Sequence, residues 1–257
     1  MEVWILTPSD SGLGRRLPDG WAAGHDEIGE FATHDEHGIV LRPLPRGRYQ
    51  VGLSDAEYAA AQRLAPVPNI TLSEVTPVVD VEIAGEVLLA DRPITARLAG
   101  ELGVAVASEE PGWAAMLTRA EAESLVGQLG CRLPREAEWE IGCRAGSHSL
   151  FMWGDEVPPS EELERWLAWE IEEGSILRND FGLGGLFFGE WCDEPFRVSH
   201  RPDADVEAGA YVVKGGGTQF WPWQDDEWVW CAPAMRMPST ALFADQRCAA
   251  RFALVLR

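Results

Sequence analysis

Two helix-start signals fall close together in this chain and constrain its local geometry more tightly than any other stretch. Thr118-Arg119-Ala120-Glu121 is a capping box, in which a threonine hydroxyl and a glutamate three residues on satisfy each other's backbone N–H groups. The helix it opens has Leu125, Val126 and Leu129 facing inward and stops at Gly130, a residue that accepts the left-handed conformation beyond a helix end. Pro134 then suits the first position of a second helix, with Glu136 and Glu138 placed to favour its positive N-terminal end. Within that helix the bulky Trp139 is expected to be buried, with Arg132 and Glu138 as scaffold beside it.

The same kind of reading extends along the chain. Residues 3–6 are strand-like, and 19–38 form a polar, Gly-, Asp- and His-rich region read as a loop. His25, His34 and His37 stand there among Asp26, Glu27, Asp35 and Glu36. Such side chains are metal-ligand types, but their spacing fits no known site. A further capping box, Ser54-Asp55-Ala56-Glu57, opens a helix whose Tyr58, Ala61, Leu64 and Ala65 share one face. Residues 78–83 and 86–90 read as strands, with Ala84-Gly85 as a turn between them. Thr95 caps a helix carrying Leu98 and Leu102 before Gly103. Leu163, Trp166, Leu167 and Ile171 put a helix over 160–173, ended by Gly174.

A chain of 257 residues, 46% hydrophobic, is long enough to bury one large core. Its formal charge of -21 opposes DNA, RNA and anionic membrane surfaces, so neither nucleic acid nor membrane is an expected partner. The apolar start lacks a basic n-region, and no stretch approaches the roughly 18 apolar residues of a membrane span. The expectation is a soluble, cytoplasmic protein. Cys131, Cys143, Cys192, Cys231 and Cys248 show no CxxC or CxxH spacing, which argues against structural zinc. The chain also lacks the GxSxG, GxxxxGK[ST], HExxH and Rossmann glycine patterns. Neither a metal nor a cofactor is expected.

Several motifs share one family resemblance. Arg132-Leu133-Pro134-Arg135-Glu136-Ala137-Glu138-Trp139-Glu140, Cys143-Arg144-Ala145-Gly146 and Trp153-Gly154-Asp155 are similar to the RLPTEAEWE, ARGG and PWGD segments of the formylglycine-generating enzyme (sulfatase-modifying factor) family. Pro45-Arg46-Gly47-Arg48-Tyr49-Gln50-Val51-Gly52 and Arg92-Pro93-Ile94-Thr95 resemble its opening hairpin and PVT segment. Asn179-Asp180-Phe181-Gly182-Leu183, Gly189-Glu190-Trp191-Cys192-Asp193, Tyr211-Val212-Val213-Lys214-Gly215-Gly216-Gly217 and the closing Arg251-Phe252 strand follow in the family's order. The resemblance implies an α+β, formylglycine-generating-enzyme type of C-type-lectin-like fold with much irregular structure. It spans 44–257, with 1–43 as an N-terminal strand and polar-loop extension.

Family enzymes bind copper through a cysteine pair just after the Gly-Gly-Ser turn, because soft thiolates select copper(I). Counting forward from Gly215, those places fall on Phe220 and on Asp225, or on Asp226 with one insertion. Neither side chain is a thiolate, so no catalytic residue is assigned. The GNVW tetrapeptide of the family's calcium segment is represented by Leu186-Phe187-Phe188-Gly189, which removes an oxygen donor. Binding of calcium is therefore not expected. Cys231 and Cys143 fall on two family positions that form a disulfide in some relatives, and the resemblance makes them a thiol pair, free in a reducing compartment.

In place of the copper centre stand Phe220, Trp221, Trp223, Asp225, Asp226, Glu227, Trp228 and Trp230. Aromatics among acids suit a cation or a basic peptide side chain. The same alternation also suits strands facing a core, and the sequence leaves both readings open. The functional expectation is a non-catalytic binding or scaffolding protein that recognises a protein or peptide partner carrying a basic group. The alternative is a diverged oxygen- or metal-dependent oxidase.

Overall fold

After its first residue, Glu86–Ala90 is uninterruptedly apolar, the pattern of a strand covered on both faces. In the computed structural model this strand lies inside an antiparallel sheet. The structure describes residues 4–5, 12–14, 16–64, 74–106, 110–157, 161–162, 171, 176–216, 231–239 and 246–256. The strands are β1 (Trp4–Ile5), β2 (Trp21–His25), β3 (Glu30–His34), β4 (Val40–Pro43), β5 (Gly47–Val51), β6 (Val79–Ile83), β7 (Glu86–Ala90), β8 (Glu190–Arg197), β9 (Val206–Lys214), β10 (Arg236–Pro238) and β11 (Ala253–Leu256). The helices are α1 (Asp55–Leu64), α2 (Ala96–Glu101), α3 (Arg119–Gln128) and α4 (Glu136–Arg144). A six-stranded sheet runs β1-β2-β3-β4-β7-β11, a second β10-β9-β8, and β5 pairs with β6.

Alternation along β7 divides the core. Leu88 and Ala90 join Trp21, Leu41, Phe252 and Leu254 on one face, while Val87 and Leu89 meet Trp139, Cys143 and Leu183 on the other. Helix α3 covers the first face with Ala122, Leu125 and Val126. Helix α4 covers the second so closely that a Cβ at Gly142 would come within 2.9 Å of a Leu89 methyl.

The capping boxes of α1 and α3 are present. Glu121 N donates to Thr118 Oγ1 (3.3 Å) and Thr118 N to Glu121 Oε2 (2.8 Å), and Ser54 N donates to Glu57 Oε2 (2.8 Å). Gly130 takes φ +68, as expected beyond a helix end. Thr95 caps α2 through its hydroxyl. Pro134 is displaced from its expected place: the cap of α4 is Arg135, so the proline precedes the helix. Glu138 performs the capping by accepting from Arg135 N at 2.8 Å while holding Arg132 through two bonds of 2.7 and 2.6 Å.

The polar-loop reading of 19–38 is corrected by β2 and β3, which pair in register from Trp21↔His34 to His25↔Glu30. Their turn is closed by Asp26, whose Oδ1 accepts from Ile28 N and Gly29 N at 3.0 and 3.2 Å and whose carboxylate also pairs with Arg42. The acids and glycines that suggested a loop build a hairpin. Ala84-Gly85 does turn the chain between β6 and β7, but it joins strands of two different sheets. Of the helix expected over 160–173, all but 161–162 and Ile171, which is buried, lies outside the described residues. Among the described residues no helix is long and apolar enough to cross a membrane.

Trp139 is fully buried. Its Nε1–H faces the Glu190 carboxylate and helps hold that charge, without completing a hydrogen bond of good geometry. Replacing Trp139 with alanine opens a cavity between α4 and the sheet and should cost about 3–5 kcal/mol, measured by denaturant unfolding. A variant of unchanged stability would contradict this packing role.

Candidate functional site

Strand β9 runs from exposed residues at Val206 to fully buried ones at its end, finishing at Val212, Val213 and Lys214. Gly215 follows in the left-handed region (φ +78), where a Cβ would lie 2.5 Å from Phe188 O and 3.1 Å from the Trp139 ring. Only glycine fits there. The chain is described again from Cys231, buried like Ala232 and Ala234, and Met235 N donates to Ala232 O at 2.9 Å. Arg236 of β10 then pairs with Lys214 of β9. Residues 217–230 therefore belong to the connection of one antiparallel strand pair whose two ends are buried and adjacent.

Phe220, Trp221, Trp223, Asp225, Asp226, Glu227, Trp228 and Trp230 all lie in that connection, outside the described residues. The choice between core and binding surface for these tryptophans stays where the sequence left it.

Beneath the two ends lies a set of buried charges. Lys214 is the chain's one lysine, yet it is fully buried, with Nζ 2.9 Å from Glu140 Oε2 and 3.9 Å from Glu136 Oε1. Glu140 also accepts from Gly52 N (2.8 Å) and Arg144 Nε (3.0 Å). Arg144 continues to Glu57 and to Gly52 O (3.1 Å). Arg236 sits 2.7 Å from Glu136 Oε1 through Nε, donates to Glu136 Oε2 at 3.0 Å through Nη2 and to Arg197 O at 2.7 Å through Nη1, and stacks over Phe196. His200 Nε2 approaches the same Glu136 carboxylate at 3.7 Å. Burial pushes the Glu140 carboxyl up, but Lys214, Arg144 and His200 outweigh it and hold the group at about 2. Burial pushes the His200 imidazole down, against the pull of Glu136 and Glu140.

The cysteines are free. Burial drives the thiols of Cys131, Cys143, Cys231 and Cys248 up to about 12 and that of Cys192 well above its usual value. At neutral pH they are small apolar side chains, not thiolates. Cys143 lies on α4 and packs with Trp139 and Leu183, while Cys231 packs with Phe187, Phe188 and Met235. Leu186, Phe187 and Phe188, which replace the oxygen-bearing tetrapeptide, are buried. Asn179 is a structural group: its Nδ2 donates to Gly142 O (2.7 Å) and Cys143 O (3.1 Å) at the end of α4, and its Oδ1 accepts from Phe181 N and Leu183 N. The histidines also have structural neighbours: Trp21 meets His34 edge-on and His34 stacks on His37. Among the described residues no group of three or more His, Cys, Asp or Glu is arranged to hold a metal.

Residues 44–241 match the model of the sulfatase-modifying factor enzyme 1-like domain. The chain belongs to that family. A formylglycine-generating enzyme of Mycobacterium tuberculosis is 32% identical over 102 residues, covering 33% of this chain and 34% of that protein. The chain thus spans about a third of the length of this curated relative (34%). PvdO from Pseudomonas aeruginosa superposes with a TM-score of 0.62 at 17% identity, over 86% of this chain and 96% of that one. Treponema denticola variable protein 1 gives 0.52 at 15% identity, over 84% and 94%. Both likenesses concern the fold, which is the α+β, formylglycine-generating-enzyme type.

The buried charges near residues 217–230 were not singled out from sequence. A lone lysine in a strand-like apolar run ending in Gly-Gly was the available signal, since a charge in such a run needs a buried partner. Replacing Lys214 with methionine leaves Glu140 and Glu136 short of a cation. Loss of one partner from a buried pair costs about 3–5 kcal/mol, so the urea midpoint should fall steeply. An unchanged midpoint would mean that Arg144 and Arg236 suffice.

Proposed function

We propose that this chain is a non-catalytic binding or scaffolding protein on the formylglycine-generating-enzyme fold, recognising a protein or peptide partner through residues 220–230. The observation carrying the reading is the placement of that segment. It belongs to the connection between β9 and β10, both ends of which are buried, at Lys214 and Gly215 on one side and Cys231 and Arg236 on the other. Variable chemistry on a rigid base is how one fold acquires different binding functions. Trp221, Trp223, Trp228 and Trp230 supply contact area, and Asp225, Asp226 and Glu227 favour a basic group on the partner.

Two features speak against cysteine oxidation. Phe220 and Asp225 stand where the family's copper thiolates are expected, and the cysteines elsewhere are held protonated by burial. The second reading, a diverged oxygen- or metal-dependent oxidase, draws its support from the 32% identity to a formylglycine-generating enzyme. It is separated from the first by incubating the protein with copper, air and a sulfatase-type cysteine peptide. No formylglycine should form, and its detection by mass spectrometry would favour the oxidase.

Binding to an array of lysine- and arginine-containing peptides should weaken with added salt. Trp223→Ala or Asp226→Asn should reduce binding about tenfold or more, as for a loss of roughly 1.4 kcal/mol or greater at an interface hot spot. Both variants should keep the thermal midpoint of the parent. A fall in the midpoint that parallels the loss of binding would make the segment structural.

A further inference from the structure

The junction between the first turn of α4 and strand β8 leaves one carboxylate, Glu194, outside the ion pairs that hold its neighbours. Glu194 on β8 accepts a hydrogen bond from Glu136 N at 2.7 Å, so a strand carboxylate occupies one of the free N–H groups at the start of the helix. Two helix acids of the same turn, Glu136 and Glu138, face it. Each already has its cation: Glu138 holds Arg132, and Glu136 holds Arg236, with Lys214 of β9 and His200 behind it. On its own strand the neighbouring Asp193 leans toward Arg119 of α3 at 3.9 Å. Arg135 of the α4 cap attracts Glu194 weakly from an exposed position. Among the described residues Glu194 forms no ion pair.

We propose that Glu194 is a proton-operated latch between α4 and β8. Protonated, it joins helix to strand without adding charge. Ionised, it sets a third negative charge against Glu136 and Glu138 and loosens the junction. A protonated carboxyl still accepts from Glu136 N through its carbonyl oxygen, so the hydrogen bond is kept in both states; it is stronger to the carboxylate, and burial and repulsion together outweigh that gain. Because Glu136 reaches Lys214 and Arg236, the junction lies directly under the ends of the β9–β10 connection.

Burial, reinforced by Glu136 and Glu138 against the hydrogen bond from Glu136 N, raises the Glu194 carboxyl to about 7 from an ordinary 4.5. The folded state therefore binds the proton more tightly than the unfolded chain. Its stabilising effect is complete below about 4.5, is lost as pH rises toward about 7, and is absent above. His200 and His34, both shifted down by burial, act in the opposite direction, so the latch is read from a difference between two proteins.

Glu194→Gln keeps the acceptor for Glu136 N and removes the charge. Thermal midpoints of parent and variant should coincide near pH 5 and separate in favour of the variant by pH 8. The Glu194 carboxyl carbon of the parent should titrate by NMR near neutrality. Hydrogen exchange at Glu136 N–H, corrected for intrinsic base catalysis, should accelerate over this range in the parent alone. Parallel midpoint curves or a carboxyl titrating near 4.5 would overturn the latch. The carboxyl titration of the parent decides the question even if the variant fails to fold.

Discussion

The whole arrangement depends on one buried ion pair. Arg251 and Glu190 are both fully buried, and Arg251 Nε and Nη2 donate to the two oxygens of Glu190 at 2.6 Å each. The remaining donors reach Ala90 O at 3.1 Å and Gly184 O at 3.2 Å. A guanidinium placed here without all of these acceptors would be prohibitively expensive to bury. The pair thereby fixes three distant pieces of chain together: the end of β7, the turn after Asn179 and the start of β8. Its planar fork demands a definite orientation, which an apolar contact of equal volume would not. Around it, Ala249 N donates to Gly189 O (2.7 Å) and Trp191 N to Ala249 O (3.0 Å), so the segment before β11 stitches the second sheet to the first.

Arginine recurs in this role. Arg42, Arg144, Arg236 and Arg251 are all buried, each spread over a carboxylate and, apart from Arg42, a backbone oxygen. The single lysine takes the same role with a point charge, between Glu140 and Glu136 beside the Trp139 ring, where β9 meets α4. The acidic residues that dominate the net charge are thus of two kinds. Among the described residues some hold the interior together, and others lie exposed on the outside.

What could be read from the amino-acid sequence follows the range of each interaction. Capping boxes are local, so the starts of α1 and α3 were legible to the residue, and so was the Gly130 stop. The hairpin of β2 and β3 was missed because Asp26 and Gly29 look like loop residues until Arg42, sixteen positions on, turns the aspartate into a turn-closing group. Pro134 stands just before the α4 cap, two positions ahead of the first helical place expected for it, because Glu138 caps Arg135 N across the same residues and proline just before a cap looks like proline just after it. The pairing of β6 with β5 and of β7 with β4 and β11 was hidden behind a turn signal, Ala84-Gly85, that fits a simple hairpin equally well. The candidate binding residues rest on a place in the chain, and that place is what the structure adds to them: the connection between two buried, paired strand ends.

The strand ends around the 217–230 connection have anchors of their own. The energy that holds β9, β10 and α4 together comes from Lys214, Glu140, Glu136, Arg144 and Arg236, and from the close approach of Gly215 to Phe188 and Trp139. None of these groups belongs to residues 217–230. A cysteine in that connection contributes ligands to a metal, and an aromatic or an acid contributes contact area or charge to a partner. A change at Lys214 or Arg236 acts on both ends of the connection at once, through the Glu136 carboxylate that both approach. Stability at this junction thus has identifiable carriers outside residues 217–230, Lys214 and Arg236 among them.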